Sequence, residues 1–283
     1  MLKSNTTTSQ QITFNKYQIF LIAMLALLQF TVVLDFMVLS PLGAILMPEL
    51  SISTAQFGLV VSAYAFSAGA SGLLSACFVD RFDRKKTLLF VYTGFIIGTL
   101  LCGLASTYPL LLAARIFTGL FGGVIGSISF AIIADLFAIE TRGRVMGFVQ
   151  MAFALSQVLG IPIGLYLATT YDWHFPFLMI VALSTVIGIL LFIYLKPIDE
   201  HLRNQVQIGA FAQMKAVSSN PHYIKGFIAT IFLATGGFIL MPFGSAYGVH
   251  NLGIPLNDLP ILYMATGICM LIFSPIIGKL SDQ

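Results

Sequence analysis

Residues 76–86 read Ala76-Cys77-Phe78-Val79-Asp80-Arg81-Phe82-Asp83-Arg84-Lys85-Lys86, six charged side chains set where one apolar run, 56–79, gives way to another, 87–104. A membrane-crossing helix needs about 20 mostly apolar residues. The cluster therefore reads as a short connection at a water interface, with the two flanking runs crossing a bilayer in opposite directions. Working outward, six more runs of this kind occur, at 17–39, 109–134, 145–168, 175–195, 224–248 and 259–280. Strands of a membrane β-barrel would be about 10 residues long with strict alternation, and no such pattern occurs. The first run is too long for a cleaved signal peptide and continues apolar through Pro41 to Met47. The expectation is an all-α polytopic membrane protein with eight spans.

Composition agrees. Of 283 residues, 58% are hydrophobic and 9% are Asp, Glu, Lys or Arg, against roughly 25% charged in a soluble domain. Mean hydropathy is +0.95. These values exclude a soluble enzyme, a nucleic-acid-binding domain and a disordered regulator. Cys77, Cys102 and Cys269 are too scattered for a disulfide framework or a CxxC metal site. His174, His201, His222 and His250 stand singly outside the apolar runs, so no ligand pair forms. Neither a metal nor a cofactor is expected.

Basic residues test the span count, because they concentrate on the cytoplasmic side. With a cytoplasmic N-terminus, that side holds Lys3, Lys16, Arg81, Arg84, Lys85, Lys86, Arg142, Arg144, Lys196, Arg203, Lys215, Lys225 and Lys279. The opposite loops, around 48–54, 105–108, 169–174 and 249–258, hold none. Of the 14 basic residues, the one left over is Arg115, inside the fourth span. Both termini are thus expected in the cytoplasm. The long polar connection from Lys196 to Tyr223 separates six spans from two and reads as a cytoplasmic linker, part of which could lie on the membrane as an amphipathic helix.

Six helices, a linker and further helices suggest a transporter built from repeated bundles. The loop at 76–86 resembles the signature loop of the major facilitator superfamily, G-x-x-x-D-R-x-G-R-[RK], with Ala76 and Asp83 standing where that pattern has glycines. In the fourth span Arg115-Ile116-Phe117-Thr118-Gly119 is similar to the family's R-x-x-x-G element. In the fifth, Gly160-Ile161-Pro162-Ile163-Gly164 is similar to the G-P-x-x-G element of antiporters, with Ile161 interposed. Gly278-Lys279-Leu280-Ser281-Asp282 looks like a second copy of the loop motif, six spans after Asp80. The whole chain resembles bacterial 12-span drug–proton antiporters and sugar-efflux permeases. The resemblance implies a major-facilitator-type bundle: a six-helix half over 1–195, a linker over 196–223, and the first two spans of a second half over 224–283, truncated after span eight.

Asp35 and Arg115 are the charges deep within the apolar runs. At 1.5 Å per residue, Asp35 lies roughly 27 Å from the cytoplasmic start of its span, and Arg115 roughly 10 Å from the outer start of its own. Both sit in the outer half, so they could pair or share a cavity. Such charges mark ion and substrate pathways, although a static pair fixing helix packing is the alternative. Gln150, Gln157 and Gly164 recur every seven residues and share a helical face, lining a substrate path or bonding a neighbouring helix. Gly119/Gly123 and Gly122/Gly126 are small-xxx-small pairs suited to close helix packing. Tyr64, Tyr247 and Tyr263 are cavity candidates, though aromatics at helical spacing more often pack.

Asp80 ends an inward-running helix whose dipole disfavours an anion, so it should seek Arg81, Arg84, Arg142 or another helix's N-terminus. Asp135 holds the matching place after the fourth span, and Lys85 belongs to the same cluster or merely anchors topology. The resemblance implies that these charges latch the cytoplasmic side in one conformation. Gly69-Ala70-Ser71-Gly72 matches a short intramembrane-protease pattern, but no span holds a histidine to act as base. No nucleotide-binding P-loop occurs, so an ion gradient would supply the energy.

The expected function is transmembrane transport of a small molecule in the cell (inner or plasma) membrane, by alternating access in the full-length parent. Its expected partners are the lipid bilayer, a small-molecule substrate and protons, with no nucleic acid and no nucleotide. Asp35 and the Gly160–Gly164 element favour efflux by proton antiport. The alternatives are a facilitator or importer of the same fold, and a truncated membrane fragment that does not transport.

Overall fold

A computed structural model describes residues 14–75, 79–199 and 219–281. Eleven α-helices account for most of these: α1 (Lys16–Val38), α2 (Gly43–Glu49), α3 (Thr54–Ser75), α4 (Arg84–Gly103), α5 (Tyr108–Leu136), α6 (Ile139–Leu155), α7 (Ile161–Thr170), α8 (Phe175–Tyr194), α9 (Pro221–Leu240), α10 (Gly244–Leu252) and α11 (Leu259–Ser281). Seven helical stretches among the described residues are long and apolar enough to cross a membrane. The eighth expected span is the 23-residue α11. A helix satisfies its own backbone polar groups, which is why apolar runs in lipid adopt it.

Local chemistry places the helix starts. Asn15 and Gln18 form a reciprocal capping box at α1, with the Asn15 side chain accepting from Gln18 N at 2.8 Å and Gln18 Oε1 from Asn15 N at 3.0 Å. Ser53 and Gln56 do the same at α3. Pro109 and Pro176 sit in the first turns of α5 and α8, where a missing N–H costs nothing.

Two spans are interrupted where the sequence suggests continuous helices, and near the end of the second span, where α3 is described to Ser75, Val79–Arg81 forms a 3-10 turn. The fifth span is α6 and α7 joined by a π turn, Ser156–Gly160. Pro162, just beyond, cannot donate to the carbonyl four residues back, and the wider π turn relieves that clash; such turns recur at functional sites. The seventh span is broken at Met241-Pro242-Phe243, a 3-10 turn between α9 and α10. The middle of the connection, 200–218, lies outside the described residues, and with it the amphipathic helix expected there.

Packing centres on α5, which lies against both α3 and α4, while α1 packs on α6 and α8. A Cβ at Gly123 would fall 2.0 Å from the Ala68 carbonyl oxygen, and one at Gly119 2.6 Å from that of Tyr64. These two glycines let α3 and α5 meet backbone to backbone, as the small-xxx-small spacing suggests. Gly122/Gly126 does not work as a pair: Gly122 faces the Tyr64 hydroxyl, whereas Gly126 meets open space.

Candidate functional site

The packing of α1, α3, α4 and α5 buries an ion pair. Arg115 Nη1 donates to Asp35 Oδ2 at 2.8 Å and to the Asp35 backbone carbonyl at 3.2 Å; both side chains are 0% exposed. Thr99 Oγ1 on α4 donates to the other carboxylate oxygen at 3.1 Å. The Tyr64 ring, from α3, lies over the guanidinium with its centroid 4.4 Å from Cζ. Arg115 Nε and Nη2 are buried without a hydrogen-bond partner, so the ring face meets part of a cation that acceptors do not. Cys102 also borders the group, its sulfur 3.7 Å from Thr118 Oγ1.

The antiporter-like element braces the same turn of α1 from the other side. A Cβ at Gly160 would fall 2.6 Å from Leu34 Cδ1, and one at Gly164 2.9 Å from Val38 Cγ2. Leu34 and Val38, one helical turn apart, therefore sit in notches that only glycine leaves open, and they bracket Asp35. Pro162 is buried beside them. Ser156 Oγ on the π turn lies 2.9 Å from the Ala152 carbonyl oxygen of its own helix and 3.2 Å from that of Phe30, so its one hydrogen is shared between that helix and α1.

The shared face expected for Gln150, Gln157 and Gly164 is interrupted. The π turn adds a residue between them and rotates the helix beyond it, so the seven-residue recurrence no longer superposes. Gly164 faces α1, while the backbone at Gln157 and Val158 lies against Gly267 of α11. Gln150 is exposed and Gln157 half-buried.

A second charged group lies at the other end of α4 and α5. Arg84 Nε donates to Asp135 Oδ2 at 3.0 Å and Arg84 Nη1 to the Val79 carbonyl at 3.3 Å. Arg142 Nε donates to the Phe137 carbonyl at 2.9 Å, and its Nη2 to that of Ala134. A cation there satisfies the unpaired carbonyls ending α5 and complements its dipole. Lys85 Nζ donates to the Phe192 carbonyl at 3.0 Å, and Arg81 is exposed. Asp83, where the loop motif has glycine, caps α4 by accepting from Lys86 N at 2.9 Å and holds the linker by accepting from Ile198 N at 3.1 Å. Gly278 lies in the last turns of α11, whereas the side chain of Asp80 and the whole of Asp282 lie outside what the structure describes.

Sequence depth puts Asp35 and Arg115 at one level, and they meet. Thr99 carries no signal, being one of many span threonines. The Arg84–Asp135 pairing joins residues 51 apart, and the pairing of Arg84 with Asp80 offered by the loop reading lies outside what the structure describes.

A cavity of about 550 Å³ opens between α1, α3 and the α9–α10 break, lined by Phe36, Ser40, Val61, Ser62, Phe238 and Phe243 among others. Long apolar helices, internal ion pairs and a broken span beside an apolar cavity define a class: a polytopic helical membrane protein. Comparison with known proteins narrows this. Residues 25–283 match the model of the Major Facilitator Superfamily, and the chain belongs to that family. Multidrug resistance protein 3 of Bacillus subtilis is 32% identical over 154 residues, covering 54% of this chain and 30% of that protein. The probable sugar efflux transporter of Helicobacter pylori is 25% identical over 185 residues, covering 65% of this chain and 46% of its own length.

Among solved structures, a bacterial homologue of the human lysosomal transporter Spinster, inward-facing, superposes with a TM-score of 0.77 at 18% identity, over 95% of this chain and 64% of that one. The D-xylose–proton symporter gives 0.75 at 17% identity, over 94% and 69%. The chain spans less than two thirds of the length of the curated relatives it matches. Several of these relatives are described as transporters, and the chain is a multi-pass membrane protein.

Proposed function

We propose that this chain belongs to a proton-coupled exporter of small molecules, with Asp35 as the proton-carrying carboxylate and Arg115 as its counter-charge. The observation that carries the reading is the fully buried Asp35–Arg115 pair, held by Thr99 and braced by Gly160 and Gly164. A carboxylate whose charge depends on one arginine and one hydroxyl changes its environment whenever the helices carrying them move. Efflux rather than uptake is favoured by the Gly160–Gly164 element and by relatives described as resistance proteins and efflux pumps. Arg84, Asp135 and Arg142 act as the cytoplasmic latch, with Arg81 and Lys85 beside them. The distribution of basic residues supports cytoplasmic termini and a six-plus-two division about the 196–223 linker.

The test is flux across liposomes under an imposed pH gradient, with a panel of small-molecule substrates. Asp35→Asn should abolish pH-driven transport while leaving membrane insertion intact. Unchanged proton-coupled flux in that variant reduces the pair to a packing element.

A further inference from the structure

Asp35 and Phe36 are neighbours on α1, and a helix turns successive side chains by about 100°. Asp35 points into the bundle toward Arg115; Phe36 lines the 550 Å³ cavity. The two directions are joined by aromatic contacts. The Phe36 ring lies 5.4 Å from that of Tyr64, which covers the Arg115 guanidinium, and 5.8 Å from that of Phe238 on α9. An unbroken line of rings therefore runs from α9, across the cavity wall, to the buried cation.

The cavity's chemistry is specific. Its size falls in the range of drug-sized pockets, roughly 300–1,000 Å³. Among the described residues, no charged side chain lines it. Its hydroxyls have already donated their hydrogens: Ser40 to the Met241 carbonyl, Ser62 to that of Gly58 at 2.7 Å, and Thr235 to that of Ile231 at 2.6 Å. The remaining surface is an aromatic wall with a few acceptor lone pairs.

We propose that this cavity takes the apolar, aromatic part of an uncharged ligand, and that Phe36 and Tyr64 are positioning residues transmitting its presence to the Asp35–Arg115 pair. The proposal rests on the proton-coupling reading above. A ligand pressed against Phe36 shifts the ring that abuts Tyr64, and a shift of Tyr64 changes how its ring covers Arg115. The hydroxyl end of the ring packs on Gly122, where a Cβ would fall 2.4 Å from the Tyr64 oxygen. The groups facing Asp35 are Arg115 and Thr99, with Tyr64 and Cys102 next beyond. A displaced Tyr64 thus alters the one cation that balances the carboxylate.

The experiment uses the purified 283-residue chain in nanodiscs, with the neutral aromatic dye N-phenylnaphthylamine as probe. Saturable binding is measured by fluorescence against empty nanodiscs, and protons exchanged per probe bound are measured in weakly buffered solution. Saturable binding with proton exchange is expected, with Val61→Trp, which fills the cavity, losing the binding. Tyr64→Leu should keep binding within a few-fold yet lower the proton exchange roughly tenfold, the scale of a desolvated cation–π contact. Tyr64→Phe, which keeps the ring, should retain it.

Should Tyr64→Leu fail to fold, Gly122→Ala displaces the same ring from its hydroxyl end. It should lower the exchange, and Gly122→Ala with Tyr64→Phe should restore it, a rescue that a merely structural tyrosine would not give. Undiminished exchange in Tyr64→Leu or Gly122→Ala overturns the proposal, as does probe binding that never saturates (dye or acyl chains partitioning freely) or that survives Val61→Trp. Exchange that persists in Asp35→Asn overturns the proton-coupling reading itself, and the proposal with it.

Discussion

Helix α5 carries a charge near each end, and the two ion pairs they form differ in their surroundings. Arg115 meets Asp35 with both side chains fully buried. Twenty residues further on, or roughly 30 Å along the axis, Asp135 meets Arg84 with side-chain exposures of 26% and 6%. In the first pair each charge depends on the other, because no water replaces a lost partner. In the second, the carboxylate already touches solvent and Arg84 also holds a backbone carbonyl. The first pair is shut off from water, whereas the second is not.

The largest difference should appear on removing one cation. Arg115→Leu leaves Asp35 buried without a counter-charge, and breaking such a pair costs about 3–5 kcal/mol. Thermal unfolding in detergent should show a large fall in Tm, and Asp35→Asn combined with Arg115→Leu should recover much of it. If Arg115→Leu destabilises no more than Asp135→Asn does, the two pairs are equivalent and the contrast collapses.

Between the pairs α5 is held against α3 by Gly119 and Gly123, which sharpens the comparison by asking whether the ends communicate. Gly123→Ala places a methyl against the Ala68 carbonyl and should cost about 1–3 kcal/mol by overpacking. Gly126→Ala, with nothing within 4 Å, should be near neutral in the same unfolding assay. Equal effects at the two positions would dissolve the backbone contact.

The second pair should respond less. Asp135→Asn or Arg84→Ala is expected to change stability by about 1 kcal/mol or less, as partly exposed pairs do, with the effect shrinking as salt is raised. Its larger consequence should be conformational. Cysteine labelling near the 79–86 loop should become faster in either variant, while Arg115→Leu leaves the labelling pattern there alone. A salt-insensitive loss of several kcal/mol would place the Arg84 pair in the same class as the first.

How much of this is legible in the sequence depends on the kind of signal each feature leaves. Membrane spans announce themselves by length and hydropathy, so the runs can be read to within a few residues. Asp35 and Arg115 stand out because charge inside such runs is rare, and helical rise alone brings them to one depth. The partners that finish the site leave no such mark. Thr99 is a threonine among many, and Tyr64 differs from a packing aromatic only by the cation beneath its ring. The π turn at Ser156–Gly160 is hidden because Pro162 reads equally as a tolerated kink. Without that turn, Gln150, Gln157 and Gly164 would share the seven-residue face their spacing suggests. Asp83, a departure from the loop pattern, caps α4 and fastens Ile198, two contacts a glycine could not make.

The smallest expected effect comes from a third pair that extends the series to the exposed limit. Asp172 and His174 lie in the loop between α7 and α8; the Asp172 side chain is 48% exposed and accepts from the His174 backbone N–H at 2.9 Å and closely approaches ring Nδ1. His174 Nε2 in turn lies 3.0 Å from the Ala105 carbonyl oxygen, so the ring ties this loop to the one before α5. Partial burial pulls the Asp172 carboxyl upward, but the His174 hydrogen bonds and charge outweigh it and hold the group below its ordinary value. A depressed folded-state pKa contributes stability that is complete above the unfolded value of about 4 and is lost as pH falls through the lower folded value. Asp172→Asn should therefore cost no more than a few tenths of a kcal/mol near neutral pH, after allowance for solvent screening. That difference should fade only in strong acid. Unfolding curves of the two proteins, measured from pH 7 downward, provide the check. A gap that widened on acidification would reverse the sign of the linkage and remove Asp172 from the series.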